Sequence, residues 1–169
     1  TRARYSRRVA ETPPIRTEWT AVSNHSRQYA DFTLVYPVIS RRSRGLSLGV
    51  NLNPDKVCNF DCIYCEVDRR IPGRADRVDP DKIRDELRAL IRCVKTGGLI
   101  GDARFRDVPS TVLQEIRDIA FSGDGEPTMI SNFAACAQAV ADVKQTEGLH
   151  LTKIVLITDA AGLDKTDVR

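Results

Sequence analysis

From Gly45 onward, the spacing of apolar positions switches between a strand period and a helix period. Leu46-Ser47-Leu48-Gly49-Val50-Asn51-Leu52 alternates apolar with small or polar residues and predicts a short strand, which Asn53-Pro54-Asp55 breaks. Asp79-Pro80-Asp81 then reads as a helix start, a capping acid ahead of a proline in the first turn. Ile83, Leu87, Leu90, Ile91 and Val94 mark one apolar face of that helix, and Gly97-Gly98 ends it. Residues 99–113 carry no clear period beyond one helical turn after Pro109. Ile116-Arg117-Asp118-Ile119-Ala120-Phe121 predicts a second strand running straight into Ser122-Gly123-Asp124-Gly125. Ser131 is the expected cap of a helix containing Phe133, Cys136, Ala137, Val140 and Val143, which stops near Gly148. Lys153-Ile154-Val155-Leu156-Ile157-Thr158 predicts a third strand, a near-continuous β-branched run of the kind buried in parallel sheets.

The order β–loop–α–β–α–β makes this an α/β chain, with a parallel sheet covered by helices. Loops that carry function gather at the carboxyl ends of such strands. Two unusual segments fall there: the cysteine-rich stretch after the first strand and the glycine-rich stretch after the second. Three strands do not close a barrel, and the sequence ends soon after the third. The expected organisation is an irregular basic arm over residues 1–34 and a partial sheet domain over 35–169. Thr12-Pro13-Pro14 interrupts any helix in the arm, where Trp19 and His25 have no evident partner.

Charge sharpens this division. Net charge is only +3 over 169 residues, yet residues 1–50 hold nine arginines against three acids, and the remainder holds 17 basic residues against 20 acids. The arm is therefore either a solvated segment or one that contacts phosphates. Arg41, Arg42 and Arg44 read either as a solvated cluster or as contacts to substrate or to an anionic cofactor group near the barrel mouth. No apolar stretch approaches membrane length, and residues 1–8 lead into no secretory core segment. The five cysteines are odd in number, with three packed close together. That argues against an extracellular disulfide framework and for a reducing cytoplasm.

Those three carry the chemistry. Cys58, Cys62 and Cys65 form C-x3-C-x2-C with Tyr64 just before the last. Three adjacent thiolates suit three corners of a [4Fe–4S] cube and leave the fourth iron open to a ligand. Two other readings stand beside this one: buried thiols on one helical face, or a zinc site, for which neither His25 nor His150 lies near in sequence. Cys93 and Cys136 sit on or beside apolar helix faces and read as core thiols. In Phe121-Ser122-Gly123-Asp124-Gly125-Glu126-Pro127-Thr128, glycines at a strand end allow backbone to approach a ligand closely, and Glu126 suits a cationic amine.

Together these segments resemble the radical S-adenosylmethionine (SAM) superfamily: three cysteines with an aromatic before the last, then a Gly-Glu segment one β/α unit later. Tyr36 to Asn51, through Arg41-Arg42-Ser43-Arg44-Gly45, and Ser122 to Thr128 are similar to a wyosine-synthetase-like branch of Fe–S oxidoreductases, with similarity over roughly residues 35–160. The resemblance implies a radical SAM (β/α) barrel, cut short here after its third strand. It implies that Cys58, Cys62 and Cys65 hold three irons of a [4Fe–4S] cluster and that SAM chelates the fourth. Gly123, Asp124, Gly125 and Glu126 would receive the methionine amino group, and Tyr64 would lie near the adenine. Thr158 and Asp159 would face SAM, although this branch is expected to carry an asparagine at the Asp159 position. Reductive cleavage would give a 5′-deoxyadenosyl radical that abstracts hydrogen from a substrate, such as a tRNA base or a peptide. A low-potential donor such as ferredoxin or flavodoxin would supply the electron. The readings that differ in class are a non-catalytic Fe–S electron carrier or sensor and a zinc-binding module.

Overall fold

A computed structural model describes residues 14–24, 26–70 and 76–169; the break at Thr12-Pro13 and His25 lie outside them. Helix α1 (Thr20–Ser23) precedes a hairpin of strands β1 (Val35–Ser40) and β2 (Gly45–Val50). Then follow α2 (Pro80–Lys95), the short α3 (Ser110–Leu113), β3 (Ile116–Phe121), α4 (Phe133–Thr146) and β4 (Lys153–Leu156). The sheet order is β1-β2-β3-β4. The β2–β3 and β3–β4 pairs are parallel, as the alternating pattern predicts, while β1–β2 is antiparallel. The chain is therefore α/β with an open, mixed, four-stranded sheet.

Strand β1 is absent from the sequence-based reading. Its Pro37 removes a backbone donor, and proline is tolerated in edge strands such as this one. Its first amides are satisfied from a distance. The buried Glu86 of α2 accepts from the N–H groups of Thr33, Leu34 and Val35 at 2.8–3.2 Å. Trp19 also finds partners that the sequence did not reveal, because it is buried with Ala21 and Val22 in the same core as the strands.

Helix α2 forms as its pattern predicts. The Asp79 side chain caps the N–H of Asp81, Pro80 occupies the first turn, and Ile83, Leu87, Leu90, Ile91 and Val94 are all buried. They pack with Leu46, Leu48 and Val50 of β2 and with Phe133, Cys136, Val140 and Val143 of α4. Cys136 thus lies in the core, where burial pushes its thiol up to about 11. Cys93 is half-buried, packed on that core with its sulfur 3.3 Å from the Tyr29 hydroxyl. The cap of α4 differs from expectation. Asn132 takes the position, but its amide bonds both N–H and C=O of Val78, while Ser131 binds the Asp76 carbonyl. Strand β4 ends at Leu156, and it is not buried as its β-branched run predicts. It forms the sheet edge, with Ile154 and Ile157 exposed.

The helices α2 and α4 cover one face of the sheet. The other face opens onto a trough of about 400 Å³ lined by Tyr36, Ser47, Ala120, Ser122 and Ile157, among others. Its buried charge, Asp118, accepts from the Ser47 hydroxyl at 2.5 Å and pairs with Arg42 at 2.8 Å. The hairpin geometry also relocates the arginine turn. Since Ser40 pairs with Gly45, residues 41–44 lie where β2 begins, at the opposite edge from the loops that leave its end. The turn that carries Arg41, Arg42 and Arg44 is thus at the other end of β2 from the cysteine loop.

Candidate functional site

Parallel register brings the expected segments to one edge of the sheet. Val50, Phe121 and Leu156 pair across β2, β3 and β4, so the chains leaving them, starting at Asn51, Ser122 and Ile157, emerge side by side. Their side chains then lock the three exits together.

The first lock joins the cysteine segment to the glycine turn. Asn51 grips Asp124 at two points: its Nδ2 donates to Asp124 Oδ2 at 2.7 Å, and its Oδ1 accepts from Asp124 N at 3.1 Å. Arg27 pairs with the other carboxylate oxygen at 3.2 Å. The glycines are needed for this approach. A Cβ on Gly123 would meet Asn51 Oδ1 at 2.2 Å, and one on Gly125 would meet the Val57 carbonyl at 1.8 Å. The turn is thus glycine-rich because the neighbouring loop lies against it, whatever ligand it also meets. Tyr36 lies across Gly49 in the same way and reaches Ser122 with its hydroxyl.

Arg69 is the second lock. Its guanidinium donates to the carbonyls of Lys56 and Asp124 at 2.6 and 2.9 Å, and to the Cys65 sulfur at 3.4 Å. One side chain therefore clamps the start and end of the cysteine loop onto the glycine turn. The Val67 amide, aided by Arg69 and opposed by slight burial, holds the Cys65 thiol below its ordinary pKa.

Glu126 is the third. It is buried and faces inward, and its Oε1 accepts from Thr128 N, Thr128 Oγ1 and Thr158 Oγ1 at 3.0, 2.6 and 2.6 Å. Its Oε2 accepts from Asp159 N at 2.8 Å. Burial raises its pKa, but the bonds from Thr128, Thr158 and Asp159 outweigh that and leave it below the usual glutamate value. Thr158 and Asp159 lie beside the glycine turn, where both hold Glu126. Of the roughly four acceptor positions on a carboxylate, this network fills most, and the open capacity is on Oε2.

The cysteines themselves sit on the surface side. Cys58, Cys62 and Cys65 are partly exposed and free of disulfides, and Cys65 N bonds Cys62 O at 2.9 Å in a tight turn. They are not on a helix, which removes the reading as buried helical thiols. Tyr64 is 83% exposed, with Phe60 and Ile63 exposed beside it, and contact with Cys62 raises its phenol pKa. Among the described residues, no three His, Cys, Asp or Glu side chains are gathered as a metal site. The loop carries three partly exposed soft sulfurs, and the buried Asn53 amide, which lies against Gly125, has no hydrogen-bond partner for Oδ1 or Nδ2.

Sequence reasoning missed Asn51, Asn53 and Arg69. The available signal was two asparagines flanking a leucine directly after a strand, a residue type that bonds backbone in turns. Nothing in the pattern marks Arg69, whose role depends on tertiary contact.

Known proteins resemble the chain at low identity. A UPF0026 protein of Methanocaldococcus jannaschii is 26% identical over 137 residues, 81% of this chain and 36% of the relative. The GTPase Obg of Brachyspira hyodysenteriae is 26% identical over 136 residues, 79% of the chain and 16% of the relative. A UPF0026 protein of Helicobacter pylori is 29% identical over 105 residues, 62% of the chain and 29% of the relative. Each match thus spans well under half of the curated relative. No family model and no solved structure matches the chain.

Proposed function

We propose that this chain is the first part of a radical SAM (β/α) barrel, acting as an Fe–S enzyme in a reducing cytoplasm. The observation that carries the reading is the junction at the carboxyl edge of β2 and β3: a loop with three free thiols clamped by Arg69 onto a glycine turn with its own carboxylate. Cys58, Cys62 and Cys65 would hold a [4Fe–4S] cluster. The chemistry that such a cluster and SAM supply together is reductive cleavage of the sulfonium C–S bond, giving a 5′-deoxyadenosyl radical that takes hydrogen from a substrate.

The chain's own residues do the positioning. Arg69 fixes the sulfur of Cys65 relative to the Gly123–Gly125 backbone, so a ligand bridging thiol loop and turn meets a preset gap. The carbonyls of that turn and the open side of Glu126 Oε2 offer acceptors to an ammonium group. Thr128 and Thr158 keep Glu126 ionised and aimed. Tyr64, exposed beside the sulfurs, supplies a flat apolar face for an adenine. An external one-electron donor, of ferredoxin or flavodoxin type, and a substrate such as a tRNA base or peptide complete the scheme.

The test is anaerobic reconstitution with iron and sulfide. About four irons and four sulfides should bind per chain with a brown chromophore, and Cys58→Ala, Cys62→Ala or Cys65→Ala should each abolish it. Tight binding of one colourless zinc instead would contradict the proposal.

A further inference from the structure

The opposite edge of the sheet holds a second constellation that the cysteine site does not use. A cavity of about 640 Å³ is lined by Pro14, Ile15, Thr17, Arg41, Ser43, Arg44 and Arg117. Strand β2 has six residues, at about 3.3 Å each, so this cavity lies about 20 Å along the strand from the cysteine loop. Three arginines line it. Arg117 pairs with Glu115 at 2.9 Å, while neither Arg41 nor Arg44 pairs with an acid among the described residues. Arg41 and Arg44 thus bring two positive charges with no acidic partner among the described residues.

The backbone is shaped to present them. Arg44 has φ +56°, a left-handed conformation that glycine adopts readily and arginine rarely does. Next to it, Gly45 leaves room for Arg117, whose Cγ would lie 2.7 Å from a Cβ at that position. Pro14 and Ile15 add an apolar wall.

We infer that this cavity binds the phosphate groups of a nucleotide-sized small molecule. Guanidinium forks match phosphate oxygens two at a time, and the volume falls within the range of small-ligand pockets. Three arginines gathered around one cavity, with an apolar wall for an uncharged moiety, suit a compact polyphosphate ligand better than an extended strand, which calls for a basic stripe.

Calorimetry on the whole 169-residue chain tests this with ATP, inorganic pyrophosphate and adenosine. ATP and pyrophosphate should bind at one site per chain, adenosine should not, and added salt should weaken the binding. Arg44→Gly relieves the left-handed strain while removing the guanidinium, and Arg41→Gln changes an exposed side chain, so both variants should fold. Each should weaken ATP about tenfold while leaving iron loading of the cysteine loop unchanged. The inference is overturned if neither ATP nor pyrophosphate binds at millimolar concentration, or if adenosine binds as well as ATP. It is equally overturned if SAM displaces ATP, if binding survives the double variant, or if an RNA oligomer binds here where ATP does not.

Discussion

Glu126→Gln separates the two roles open to this carboxylate: structural junction or open acceptor for a ligand. In the wild type, three donors converge on Oε1 and Asp159 N on Oε2. An amide keeps one acceptor oxygen for the threonines and turns an N–H₂ toward the Asp159 N–H, donor against donor. A hydrogen bond to a charged group contributes about 1.5–3 kcal/mol, and an unsatisfied buried donor costs about 1–3 kcal/mol. These overlap, so the net loss should be about 2–3 kcal/mol. For a chain of this size that lowers Tm by about 4–12 °C. The assay is thermal unfolding followed by circular dichroism, in the metal-free protein under reductant, with hydrogen exchange at residues 157–161 as a local probe. The pH dependence has a definite sign. The folded carboxyl is depressed, so its stabilisation is complete above the ordinary glutamate pKa of about 4.3 and disappears as pH falls through the lower folded value. Glu126→Gln should flatten that part of the profile. An unchanged Tm with unchanged exchange would refute the reasoning, because Glu126 would then be free in solution rather than bound to the end of β4.

Other substitutions probe the remaining contacts. Gly125→Ala places a methyl against the Val57 carbonyl, so it should cost about 1–3 kcal/mol and displace the cysteine loop, read as a lower Tm with reduced iron uptake. Arg69→Ala should cut iron loading under limiting iron while leaving Tm nearly unchanged, and Arg69→Lys should rescue it only in part, because one ammonium cannot span two carbonyls and a sulfur. Iodoacetamide at neutral pH should label Cys58, Cys62 and Cys65 within minutes in the metal-free protein, as mapped by peptide mass spectrometry. Cys136, buried and shifted to about 11, should remain unmodified until the protein unfolds.

Local signals were legible where chemistry is local. The Asp79-Pro80 cap, the helical face from Ile83 to Val94 and the strand Ile116–Phe121 all form as their residues dictate. The convergence of Cys58–Cys65 and Gly123–Glu126 on one sheet edge followed from the parallel order. Strand β1 was not legible, because Pro37 speaks against a strand and its pairing and its Glu86 anchor are non-local. Trp19 offered no local partner for the same reason. The β-branched run of β4 reads as buried, yet its exposure depends on which strand lies beyond it. Arg69 and the two asparagines act through contacts between segments, and a linear pattern cannot carry those. The glycine turn was read as ligand-facing; most of its space is taken by Asn51, Asn53 and Val57.

The central claim is an open iron beside the glycine turn, and electron paramagnetic resonance of anaerobically reconstituted, dithionite-reduced protein tests it most directly. Spectra are compared with and without SAM. The account predicts a [4Fe–4S]⁺ signal whose shape changes when SAM is added, a change that Gly125→Ala diminishes. A signal that ignores SAM, or no cluster at all in a folded chain, would contradict it.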